Sequence, residues 1–185
     1  EGKLGCIRPT FEEYPNRCRP DDVVCFWPQN ENFAYDADDV TEFFKDKDIS
    51  MLVLINPDNP SGNYIGKAEL LRIADWCEAK GIRMIADESF ADFADEEDNS
   101  LIDEAILNAH PHLVVVKSIS KSYGVPGIRL GVLASADEAL IAGMKKDAAI
   151  WNINSFGEFY MQIAEKYVKN YAAALRKFKA TRKTM

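Results

Sequence analysis

Two short apolar runs on either side of one amphipathic stretch restrict this chain more than any other feature. Met51 to Ile55 is fully apolar, and Ile82 to Ala86 is a second such run. Between them Leu70, Leu71, Ala74 and Cys77 recur at helical spacing from Lys67 to Lys80, and Gly81 supplies the left-handed stop. A strand, a helix and a strand in this register make a parallel βαβ unit, right-handed by the usual rule. Strands this apolar need cover on both faces, which points to an α/β fold with a helix layer on each side of a mostly parallel sheet.

The flanking segments extend the pattern. Val23 to Trp27 reads as a short strand closed by Pro28, and Asp36 to Phe44 as an amphipathic helix with acidic residues at its start and Val40, Phe43 and Phe44 on its apolar side. Pro9 ends any strand before it, so Phe11 falls on a loop. Leu101 to Asn108 reads as a helix leading into the apolar run Leu113 to Ser118, a buried strand. The next apolar run, Arg129 to Ala134, follows too soon for a crossover helix, which needs a dozen residues or more. These two strands therefore pair antiparallel or diverge, with Lys121 in the bend between them. Ser135 to Glu138 spells a capping box that opens a helix to about Ile150. Trp151 to Asn154 breaks it, and Ser155 to Glu158 spells a second box, opening a helix that runs to the last residues.

Composition excludes several classes. At 185 residues and 47% hydrophobic, the chain can bury one sizeable core. Thirty acidic against 22 basic side chains give a net charge of −8, which argues against nucleic acid as the main partner. The basic stretch Arg176 to Lys183 suits the end of a helix, where carbonyl dipoles point outward. No apolar run approaches the roughly 20 residues a membrane span needs, and no signal segment opens the chain. Cys6, Cys18, Cys25 and Cys77 show no paired spacing, which argues against a metal site or a disulfide framework and for a reducing cytoplasm. His110 and His112 flank Pro111 without a carboxylate cluster and read as surface residues.

Polar clusters close three of the strands, and that edge is where open α/β sheets bind ligands. Met51 to Ile55 ends in Asn56-Pro-Asp-Asn59-Pro60-Ser-Gly62, a forced turn whose asparagines keep free amides. Ile82 to Ala86 ends in Asp87-Glu88. Leu113 to Ser118 runs into Ser120, Lys121 and, eight residues on, Arg129. Two hydroxyls, a guanidinium fork and glycine-permitted backbone suit a phosphate. A lysine among cations and partly shielded from water has its amine form favoured, as Schiff-base chemistry requires. Asp87 after an apolar strand also resembles a magnesium-binding carboxylate, but Gly62 to Ala68 is a residue short of a phosphate loop and lacks its hydroxyl ligand.

The string Ser118-Ile-Ser-Lys121-Ser-Tyr-Gly-Val-Pro-Gly-Ile-Arg129-Leu-Gly131 resembles the cofactor-lysine motif of the pyridoxal-phosphate-dependent class I/II aminotransferases of fold type I. The branch it is most similar to holds histidinol-phosphate aminotransferase and threonine-phosphate decarboxylase. The resemblance implies that Lys121 is the Schiff-base lysine and that Ser118, Ser120 and Arg129 hold the phosphate of pyridoxal 5'-phosphate. It further implies that Phe11 stacks on the pyridine face, that Asn59 bonds the ring hydroxyl and that Asp87 pairs with the ring nitrogen. Phe90 stands where the family often places a cofactor-contacting tyrosine, so one donor is replaced by an apolar contact. Trp151 and Asn154 resemble a family segment near the active site and dimer contact.

The fold implied is the three-layer α/β/α large domain of that family, incomplete, with one antiparallel strand after the lysine loop. Residues 1–150 would form the central part of the cofactor domain, and 151–185 a connecting segment and long helix leading toward a small domain. A glycine-rich phosphate loop and the small domain itself are the family parts that the chain lacks, so it reads as a piece of a longer protein. The activity implied is amino-group transfer between an amino acid or amine and a 2-oxo acid, in a cytoplasmic homodimer. The alternatives are decarboxylation of an amino-acid phosphate, or a non-catalytic sensing domain of the same shape.

Overall fold

The computed structural model describes residues 2–184. Its sheet has six strands in the order β2-β1-β3-β4-β5-β6. They are β1 (Leu4–Ile7), β2 (Val23–Phe26), β3 (Met51–Ile55), β4 (Arg83–Asp87), β5 (Leu113–Ser118) and β6 (Gly131–Ala134). The first five pair in parallel, whereas β6 returns antiparallel along β5 with Ser118 opposite Gly131. A Cβ on Gly131 would meet the Lys117 carbonyl oxygen at 3.3 Å, so the close return of β6 favours glycine there.

Alternation along β3 explains the layers. Leu52 and Leu54 enter one core with Phe44, Leu70, Ile73 and Met84, beneath α1 (Ala37–Phe44) and α2 (Lys67–Lys80). Val53 and Ile55 point to the opposite face, into a smaller cluster with Leu4, Tyr14, Cys18 and Ile85. Each fully buried leucine or isoleucine contributes roughly 1.5–3 kcal/mol relative to exposure, so the α1/α2 face supplies most of the fold's hydrophobic stabilisation. Asp36 caps α1 in a reciprocal box with Asp39, and α2 ends on Gly81 at φ 69°, as the sequence predicts. His110 and His112 lie against Asp75 and Glu78 of α2, with Nδ1 at 3.7 and 3.0 Å from the carboxylates.

Four details depart from the sequence reading. β1 is a strand between β2 and β3, although Gly5 and the nearby Pro9 obscure it in the sequence. The helix before β5 is shorter than expected: α3 (Glu104–Ala109) is capped by Asp103, which accepts from the Ala105 and Ile106 N–H groups. Ser135 and Ser155 do not cap the helices they precede. Asp137 caps α4 (Glu138–Asp147), because the Ser135 hydroxyl is committed to the Leu113 carbonyl at 2.9 Å, and Asn154 caps α5 (Ser155–Ala164). The expected terminal helix is broken by a 3-10 turn over Glu165–Tyr167, after which α6 (Val168–Arg182) continues. Among the described residues no helix is long and apolar enough to cross a membrane.

Candidate functional site

Loops leaving the carboxyl ends of β1, β4 and β5 enclose a cleft of about 470 Å³. Phe11, Tyr14, Asp87, Ser118, Ser120 and Arg129 are among its lining residues. Five of the sequence-nominated residues thus meet in one space, although Phe11 and Arg129 lie far apart along the chain.

Asp87 is the last residue of β4 and is 8% exposed. Its Oδ2 accepts a 2.7 Å hydrogen bond from the Tyr14 hydroxyl, and its Oδ1 accepts from the Ser89 N–H at 2.9 Å. Burial, and then the bond to Asp87, push the Tyr14 phenol far above its ordinary value, so it stays protonated and donates. Both oxygens of the Asp87 carboxylate are thus held by donors, which fixes its orientation at the end of β4. The Ser89 hydroxyl accepts from the Ser118 N–H at 3.0 Å and so ties the ends of β4 and β5 together.

Arg129 follows a short 3-10 turn, Pro126–Ile128, and has φ 54° and ψ 45°, a left-handed conformation uncommon for a side chain of its size. Such strain concentrates at ligand sites, and here it turns the residue at the mouth of the cleft. Its Nη1 lies 3.5 Å from the Pro126 carbonyl. Among the described residues its guanidinium makes no ion pair, which leaves the fork available to an anion.

Lys121 is not in the lining of this cleft. Its Nζ stands over the Phe90 ring, 5.6 Å from the centroid, and makes no ion pair among the described residues. Phe90 itself lines a separate cavity of about 570 Å³ with Phe93, Tyr64 and Phe178. Asn59 lies on the turn after β3 and lines neither space. The two asparagines of that turn have different work: Asn56 accepts from the Ile65 N–H and donates to the Ile65 carbonyl, both at 2.8 Å, whereas the Asn59 side chain takes no part in these bonds.

Three residues of the site were not nominated from the sequence. Tyr14 follows Phe11 by one helical turn's spacing, and Ser89 continues the polar cluster that Asp87 opens; both signals were present. The third, Asp92, sits beneath the lysine loop. It takes the Lys117 ammonium at 2.8 Å and the Ser122 hydroxyl at 2.6 Å, with Tyr171 close by and stacked on Tyr123 at 4.1 Å. Nothing in the sequence distinguishes Asp92 from its acidic neighbours.

Burial pushes the Asp92 carboxyl up, but Lys117, Ser122 and Tyr171 together outweigh it and hold it below the usual carboxylate range. A depressed carboxyl stabilises the fold above its unfolded value, about pH 3.9, and that contribution is lost as pH falls through the folded value. Urea unfolding at pH 7 and pH 3 is therefore expected to show a smaller acid-induced loss for Asp92→Asn than for wild type. Equal losses would remove Asp92 from the acid-sensitive set.

The chain matches the family model described as aminotransferase class I and II over residues 6–184. It is 32% identical over 182 residues to an L-serine phosphate decarboxylase of Sulfurospirillum multivorans, covering 95% of this chain and 46% of that protein. A threonine-phosphate decarboxylase of Salmonella typhimurium is 30% identical over 159 residues, with 85% and 43% covered. The crystal structure of histidinol-phosphate aminotransferase from Clostridium acetobutylicum superposes with a TM-score of 0.83 at 26% identity, covering 98% of this chain and 54% of that one. The chain thus spans under half the length of these two curated relatives. With the sheet order, the lysine bend and the cleft residues in place, the chain belongs to the class I and II aminotransferase family of fold type I, close to the branch of histidinol-phosphate aminotransferase and threonine-phosphate decarboxylase.

Proposed function

We propose that the cleft is the pyridoxal-phosphate site of an enzyme that transfers amino groups between an amino acid or amine and a 2-oxo acid. The donor set fits that cofactor. Arg129, Ser118 and Ser120 supply one cation and two hydroxyls for the phosphate. Asp87, oriented by Tyr14 and Ser89, suits a protonated ring nitrogen; Phe11, half exposed in the cleft, offers a ring face. The family resemblance would add Asn59 and Phe90 to that set, but Asn59 lines neither space and Phe90 lines the neighbouring cavity. When bound, the cofactor acts as an electron sink for the substrate's α-carbon.

The observation that carries this reading is the contrast between two lysines. Lys117, on β5, is committed to Asp92, whereas Lys121, on the loop that follows, makes no ion pair among the described residues and stands over the Phe90 ring. A free amine can bond to an aldehyde and then take and return the proton at the α-carbon as general base and acid. Amino transfer requires that return.

Residues 151–185 serve as the connection from this cofactor domain toward a smaller one. A homodimer fits the exposure of Ile150, Trp151 and Phe156, at 93%, 89% and 78%, since apolar groups so close together favour a covered surface. The four free cysteines suit a cytoplasmic setting.

A second reading, decarboxylation of an amino-acid phosphate, is favoured by the name of the Sulfurospirillum relative. One assay separates the two. The protein is supplied with pyridoxal phosphate, 2-oxoglutarate and either phosphoserine, phosphothreonine or histidinol phosphate, and both glutamate and carbon dioxide are measured. Glutamate formation without gas is the result expected. Carbon dioxide released in step with a new amine would replace transfer by decarboxylation, and cofactor binding with neither product would leave a sensing domain.

A further inference from the structure

Cys6 on β1 stands directly opposite Cys25 on β2 in the parallel register, and their sulfurs are 3.7 Å apart. Paired strands run about 4.8 Å apart, within the roughly 4.4–6.8 Å between Cα atoms that a disulfide spans. Side-chain rotation is thus the main movement needed to bring the sulfurs to bonding distance.

The two thiols are unequally placed. Cys6 is wholly buried, whereas Cys25 is partly exposed on β2, the edge strand of the sheet. Burial, then the neighbouring Cys25, push the Cys6 thiol up to about 12, so Cys6 is a poor first attacker. The Arg8 guanidinium, ion-paired with Glu12, also lies beside Cys25, which is the sulfur of the pair that a reagent in solvent reaches first. Arg8 also opens the loop that carries Phe11 and Tyr14 into the cleft, so the pair sits at the base of one wall of the site.

We propose that Cys6 and Cys25 form a reversible dithiol–disulfide pair, oxidised by a low-molecular-weight disulfide of the glutathione type. The Cys25 sulfur attacks one sulfur of the oxidant, breaking its S–S bond and releasing one reduced thiol. The Cys6 sulfur then attacks the Cys25 sulfur of the mixed disulfide, forming the Cys6–Cys25 bond and expelling the second thiol. The chain loses two protons and two electrons, and the oxidant gains both. Cys18 and Cys77 are internal controls: Cys77 is fully buried within α2, and Cys18 has no sulfur partner among the described residues.

The test treats the intact protein with oxidised glutathione, blocks remaining thiols by alkylation and maps peptides without reduction. The expected result is a Cys6 peptide joined to a Cys25 peptide, a fall in free thiols from four to two, and full recovery with dithiothreitol. Cys6→Ser should instead stop at a glutathione adduct on Cys25. A wild-type map with no Cys6–Cys25 link, with Cys25 joined to Cys18, or with a stable glutathione adduct on Cys25 would each overturn the pair. The wild-type map needs no substitution, so it stands even if the variant folds poorly.

Discussion

Lys121→Ala is expected to abolish the visible absorbance of lysine-bound pyridoxal phosphate and to lower turnover at least about 10³-fold, the scale of losing a positioned acid–base group and nucleophile together. Lys117, four residues away, cannot replace it, because its ammonium is held 2.8 Å from Asp92 and only about a sixth of its side chain meets solvent. Freeing it would leave a partly buried carboxylate unpaired, which is costly. Cofactor affinity should fall much less than turnover, since Arg129, Ser118, Ser120 and Asp87 remain. Absorbance titration and steady-state turnover on the same preparation separate these effects. A variant that kept the band would move the amine elsewhere.

Glu88→Ala is expected to destabilise the fold by about 2–4 kcal/mol, the cost of leaving buried donors without an acceptor. Glu88 is 2% exposed, accepts from the Ser100 hydroxyl at 2.7 Å and from the Leu101 N–H, and donates its own N–H to Val116 at 2.8 Å. Asp87 ends β4 and Glu88 follows it directly, yet their side chains do different work. The Asp87 carboxylate faces the cleft, whereas that of Glu88 fastens the segment before α3. Glu88→Gln keeps an acceptor and the shape, and should cost less than the alanine change. Urea midpoints measure both, and an alanine variant as stable as wild type would contradict this role.

The sheet was legible because its strands are short apolar runs bounded by proline, glycine or charge, and the lysine bend because no helix fits between Ser118 and Arg129. The strand β1 was not: four residues with glycine inside carry too little pattern, and its strandedness comes from pairing with β2 and β3. Tertiary hydrogen bonds decided the caps. Ser135 is as good a cap type as Asp137, but its hydroxyl went to Leu113. The break at Glu165–Tyr167 contains neither glycine nor proline, so the sequence carried no signal for it.

The site divides in the same way. Strand ends exposed Asp87 and the serines as polar clusters after apolar runs, whereas Asn59, read from the same signal, lines neither space. Tyr14 became part of the site only when folding brought it to Asp87, 73 positions away. The cysteine pair was hidden for the same reason. Its proximity is a product of parallel register, which spacing along the chain does not encode.

Borohydride reduction of the protein loaded with pyridoxal phosphate, followed by peptide mapping, fixes the cofactor to whichever amine it has bonded. The label is expected on Lys121 alone. A label on Lys117, or one spread over exposed lysines with none at 121, would show that the cleft of Asp87 and Arg129 does not work with this lysine.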